Sequence, residues 1–174
     1  LSASTLATTF INRPLTEVLN DAHLIVRGQA QDSYSAWDKT GKRVIYTAPI
    51  KALSNQKFRD FKRDYGEEKV GIMTGDFVIN SHAPILIMTT EIYRNMLLCN
   101  DPCIKEISYV VFDEIHYIND IERGTIWEES LIFSPTSIRF LCLSATIPNA
   151  QEFAAWISSI KNHVVRVVSS EKRV

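Results

Sequence analysis

From Arg43 onward, short apolar runs alternate with segments of helical spacing. Arg43 to Thr47, Val70 to Met73, Ile85 to Met88, Tyr109 to Phe112, Arg139 to Leu143 and Val164 to Val168 are the strand candidates. Between them, Ile50 to Tyr65 places apolar residues at 50, 53, 58, 61 and 65, close to a helical repeat. Thr90 to Leu98 reads as a second helix with Thr90 as its cap, and Asn149 caps another through Trp156. Continuous apolar strands separated by helices predict an α/β fold, a parallel sheet buried on both faces. In such sheets ligands bind beyond the carboxyl ends of the strands, and the unusual polar residues of this chain fall at those ends.

The first forty residues follow another pattern. Leu15, Val18, Leu19, Ala22 and Val26 suit an amphipathic helix with Asn12 and Pro14 near its start, and Gln29 to Thr40 is polar and loop-like. The expected division is therefore a divergent segment 1–40 and a domain 41–174. No internal repeat or low-complexity tract is visible.

Composition narrows the function classes. The 174 residues suffice for one domain with a substantial core, and no run approaches the roughly 20 apolar residues of a membrane span. The start lacks the features of a secretory signal. Three cysteines, Cys99, Cys103 and Cys142, are too few for a disulfide framework and suit a reducing, intracellular compartment. Cys99 and Cys103 lack a second ligand pair and read as ordinary thiols around a turn. With a net charge of -1, any contact with nucleic acid must be local.

The candidate chemistry starts at Asp113-Glu114, which closes the run Ile107 to Phe112. An acidic pair on a strand end can hold Mg²⁺ through water and orient an attacking water; a solvated acidic turn is the plainer alternative. His116 extends the constellation. Ser144-Ala145-Thr146 follows the run Phe140 to Leu143 and can place two hydroxyls, of Ser144 and Thr146, near the acidic pair. Thr47-Ala48-Pro49-Ile50-Lys51 joins a strand to a helix, where Lys51 and backbone amides can grip a phosphate. Thr89-Thr90-Glu91 repeats that geometry, Gly75 permits close backbone approach, and Arg94 adds a cation. Arg123 is expected to pair with nearby carboxylates and fix its loop.

In order and wording these motifs resemble the first motor domain of superfamily-two DExH helicases, and within them the superkiller-type, exosome-associated RNA helicases. Tyr46 to Phe61 resembles motif Ia, Val70 to Asp76 the following turn, Ile87 to Leu97 motif Ib, Asp113 to Asp120 with Arg123-Gly124 and Trp127-Glu128-Glu129 motif II and its sequel, and Leu143 to Asn149 motif III. The resemblance covers about residues 41–174. It implies a RecA-like sheet of the P-loop NTPase type, ATP and Mg²⁺ as cofactors, and 3′-to-5′ travel on RNA with a single-stranded 3′ tail. It also implies a second RecA-like domain, an exosome-type RNA-degrading complex as partner, and a cytoplasmic or nuclear setting. Asp113 and Glu114 would serve metal and water. Ser144 and Thr146 would couple hydrolysis to unwinding, Pro49, Lys51, Gly75, Thr90 and Glu91 fall in RNA-track motifs, and His116 would couple the phosphate site to a second domain.

Two departures stand beside it. Residues 1–10 resemble motif I in their first half and put Ser2, Thr5, Thr8 and Thr9 at nucleotide-binding positions, but Thr8-Thr9-Phe10 stands where glycine, lysine and threonine belong. The chain also closes on Ser170 to Val174, which resembles the linker into the second motor domain. That domain would supply an arginine finger, so little ATPase or unwinding is expected of this chain alone. A scaffold module without ATPase activity and a DNA-repair helicase of the same superfamily are the alternatives.

Overall fold

The computed structural model describes residues 43–144, 147 and 149–167. The helix and loop read before Thr40, and the candidate residues Ser2, Thr5, Thr8, Thr9 and Thr146, lie outside them. Elements follow in the order β1 (Arg43–Ala48), α1 (Lys51–Tyr65), β2 (Val70–Met73), β3 (Val78–Ile79), β4 (Ile85–Thr89), α2 (Thr90–Leu98), β5 (Ile107–Phe112), α3 (Gly124–Phe133), β6 (Arg139–Cys142) and α4 (Ala150–Lys161). Short 3-10 turns precede β2, β5 and α3. No helix among the described residues is long and apolar enough to cross a membrane.

The strands form one sheet in the order β3-β2-β4-β1-β5-β6. All neighbours are parallel except β2 and β3, which pair antiparallel. The expected parallel sheet is therefore present, with an antiparallel edge strand that apolar patterning does not reveal.

Alternation along each strand sends residues to opposite faces. Val44, Tyr46, Ile85, Ile87 and Val111 face α1, where Leu53, Phe58, Phe61 and Tyr65 cover them. Ile45, Leu86, Met88, Val110 and Phe112 face the other way, into a core shared with Tyr93, Trp127, Leu131 and Ile157 of α2, α3 and α4. Helices thus lie on both faces, as in a RecA-like core. The buried Lys161 donates to the carbonyls of Ile132 (3.0 Å) and Ser134 (2.5 Å), satisfying the end of α3, and desolvation lowers its pKa.

Three local expectations change. Residues 164–167 of the expected last strand are irregular, with Val164 exposed; a β-branched run becomes a strand only where a neighbour completes its ladder. Thr89, not Thr90, holds the cap position of α2, and its side chain makes no cap bond. Asn149 does cap α4 in position but without a side-chain bond, and the helix runs past Trp156 to Lys161.

Candidate active site and nucleic-acid edge

Register aligns the carboxyl ends of the strands. Ala48 lies abreast of Thr89, Thr47 of Phe112, Phe112 of Cys142 and Met73 of Met88. The residues that follow each strand therefore share one edge. Pairing continues past the strands: Asp113 N donates to Thr47 O (3.0 Å), Leu143 N to Phe112 O (2.9 Å) and Ile115 N to Leu143 O (2.9 Å). These bonds bring Asp113, Glu114 and Ser144 together from segments far apart in sequence.

Asp113 is held on both oxygens. Its Oδ2 accepts from the Tyr46 hydroxyl and its Oδ1 from the Glu114 amide at 3.0 Å. Tyr46 is in turn braced edge-on by Phe61 at 5.2 Å. Glu114 adopts a left-handed backbone (φ 52°, ψ 46°). That turn drives Ile115 into the core and leaves the Glu114 carboxylate beside His116. His116 Nδ1 lies 3.1 Å from Glu114 Oε2 and 3.3 Å from Ser144 Oγ. A carboxylate only accepts, so a Glu114–His116 hydrogen bond requires a proton on Nδ1. Carboxylate, imidazole and hydroxyl thus form one contact chain across the ends of β5 and β6.

The other candidates separate into two groups along the same edge. Lys51 pairs with Asp76 (2.7 Å) beside Gly75, both side chains mostly exposed. Such a pair is worth about 0–1 kcal/mol and exchanges readily for another anion. Glu91, in the first turn of α2, receives Arg123 Nη2 at 2.5 Å, and the same nitrogen donates to Pro49 O at 2.5 Å. The expected pairing of Arg123 with a carboxylate is present, and it reaches across to Pro49 as well. Thr90 is fully buried, main chain included, and its hydroxyl has no hydrogen-bond partner, so it supports its turn from within and does not reach the surface of this edge. Arg94 points to Glu129 of α3 (3.2 Å). Tyr46 and Asp76 fall inside the motif stretches read from the sequence, but their roles, holding Asp113 and pairing with Lys51, were not assigned there, because both contacts join segments far apart along the chain.

A two-faced parallel sheet with an acidic pair, a histidine and a serine gathered on its carboxyl edge is the architecture of a nucleotide-dependent helicase motor core. The chain belongs to the DEAD/DEAH box helicase family, whose model matches residues 17–153. Its relatives are of the superkiller type. It is 51% identical over 131 residues to antiviral helicase SKI2 of Saccharomyces cerevisiae, covering 75% of this chain and 10% of that protein. Superkiller complex protein 2 of Homo sapiens is 53% identical over 131 residues, with the same coverage of 75% and 10%. ATP-dependent RNA helicase mtr4 of Schizosaccharomyces pombe is 52% identical over 132 residues, covering 76% and 12%. The chain thus spans about a tenth of the length of these relatives. Among solved structures, helicase MrfA bound to DNA and AMPPNP superposes with a TM-score of 0.59 at 18% identity, covering 78% of this chain and 22% of that one. The Hef helicase domain of Pyrococcus furiosus gives 0.55 at 20% identity, covering 76% and 30%. These two likenesses bear on the fold alone.

Proposed function

We propose that this chain is the first motor domain of an ATP-dependent RNA helicase that travels 3′-to-5′ from a single-stranded tail. The observation that carries the reading is the Glu114–His116–Ser144 contact chain at the ends of β5 and β6. In this reading residues 41–174 are the RecA-like unit and residues 1–40 a divergent extension. A second RecA-like domain and an RNA-degrading, exosome-type complex are its partners, in the cytoplasm or nucleus.

The carboxylates suit magnesium. The ion is usually held by one or two carboxylates plus water and phosphate oxygens, and Asp113 and Glu114 supply two adjacent carboxylates at this edge. Asp113, anchored by Tyr46 and its neighbour's amide, would hold the ion through water; bound there, magnesium neutralises charge on the phosphates. Glu114 would orient the attacking water, and His116, Ser144 and Thr146 would report the state of the site. Pro49, Lys51, Gly75, Glu91 and Arg94 would form the RNA track, with the buried Thr90 supporting its turn from within and Lys51 exchanging Asp76 for a phosphate.

The phosphate grip fits less well. Thr8-Thr9-Phe10 carries no lysine, so Ser2, Thr5, Thr8 and Thr9 would hold a nucleotide weakly, and little turnover is expected of this chain alone. That substitution favours a second reading, an RNA-binding scaffold that keeps the fold without ATPase activity. Calorimetry of ATP and ADP with Mg²⁺ on this chain separates the two. Micromolar binding supports the motor, and any residual hydrolysis should vanish in Glu114→Gln. Absence of binding leaves the scaffold.

A further inference from the structure

We propose that Arg123 is a positioning residue that sets the spacing between the two strand–helix turns of the RNA track and ties them to the loop of the acidic pair. The inference rests on the RNA-track reading above.

Pairing between β1 and β4 stops at Ala48 and Thr89. Beyond it the two chains diverge into α1 and α2. The Arg123 guanidinium spans them there, with one nitrogen 2.5 Å from both Pro49 O and Glu91 Oε1. Its own backbone is fixed: Asp120 Oδ1 accepts from the amides of Glu122 (3.0 Å) and Arg123 (2.8 Å). The guanidinium lies over Tyr117 (5.9 Å) and Trp127 (5.6 Å), which stack on each other at 5.8 Å. The Tyr117 ring also meets His116 at 4.9 Å, and His116 touches Glu114 and Ser144. A continuous set of contacts therefore runs from the acidic pair to both turns. A backbone gripped by amides from two turns demands their separation to within about 0.5 Å, and Arg123 is placed to hold it.

The test measures binding of a fluorescent single-stranded RNA oligonucleotide by anisotropy, on the chain and on Arg123→Gln, Glu91→Gln, the double variant and Arg123→Lys, with melting curves for each. The expected result is a loss of about tenfold in affinity for either Gln variant, no further loss in the double variant, and partial recovery in Arg123→Lys. Additive losses would mean that the two side chains act separately, and unchanged affinity in the Gln variants would mean that neither positions the track; both overturn the inference while leaving RNA binding intact. Should Arg123→Gln not fold, Glu91→Gln and Arg123→Lys decide alone. A wild-type chain that fails to bind RNA overturns the track reading itself, and this inference with it.

Discussion

At Glu114 the backbone enters the left-handed region, which costs a non-glycine residue about 1–3 kcal/mol. The surroundings impose it: Ile115 is pulled into the core on one side, and its amide is taken by Leu143 O on the other. Strain of this kind, on an acidic residue facing a histidine, is expected where orientation matters more than local stability. Cys142, at the end of β6 and just before Ser144, shows a neighbouring constraint. Surrounding atoms enclose its thiol, although part of the residue reaches the surface, and burial pushes its pKa from about 9 up to about 12. Cys99, on the exposed end of α2, has no such enclosure. At pH 8, iodoacetamide should therefore label Cys99 well before Cys142, which should react only on unfolding; mass mapping of the adducts checks this. The linkage has a definite sign. Between pH 9 and 12 the unfolded thiol ionises while the folded one stays neutral, so the unfolded state holds fewer protons and stability falls as pH rises. The contribution is complete below pH 9. Comparable labelling of both cysteines in the folded chain would contradict the enclosure.

Among the elements, the start of α3 depends on a glycine. Its first position, Gly124, comes so close to the preceding turn that an added Cβ would lie 2.2 Å from Ile118 O. The carbonyl belongs to the main chain and cannot swing aside. Gly124→Ala should therefore destabilise by about 1–3 kcal/mol through overpacking, read as a lower denaturant midpoint; an unchanged midpoint would place the turn elsewhere. The same junction explains what could be read from sequence. β1, β4 and β5 are buried on both faces, so their apolar runs announce them, and Asp113-Glu114 and Ser144 stand out as polar residues that end such runs. β3 does not announce itself: two residues, Val78 and Ile79, exist as a strand only because they fold back onto Met73 and Ile72. The contacts of Lys51 with Asp76 and of Arg123 with Pro49 O were equally hidden, since both join turns whose proximity only the sheet order creates. Residues 164–167 err in the opposite direction, having strand composition without a ladder.

For the whole molecule, the sheet order hangs the acidic pair from β5, an interior strand, and Ser144 from β6 at the edge of the described sheet. β1 lies between β4 and β5, and all its residues are buried, as are those of β4. β3 is at the opposite extreme: a two-residue strand, exposed at both positions and, among the described residues, at the edge of the sheet and bonded on one side only. Local opening free energies in a domain range from near zero at such edges to the global value in the core. Native-state hydrogen exchange should accordingly rank the amides. Those of β1, β4 and the β5 residues Val110 to Phe112 should exchange slowest, through global unfolding, and their rates should converge in rising denaturant. Amides of β3 should exchange by local opening and stay insensitive to low denaturant. Asp113 and Pro49 follow directly on β5 and β1, so the amide of Asp113, bonded to Thr47 O, should share their protection, whereas the amide of Ile115, bonded to Leu143 O beyond the edge strand β6, should exchange faster. Fast exchange at Asp113 beside slow exchange at Phe112 would mean that the acidic pair opens independently of the sheet, and that its geometry is set by the loop rather than by the strands beneath it.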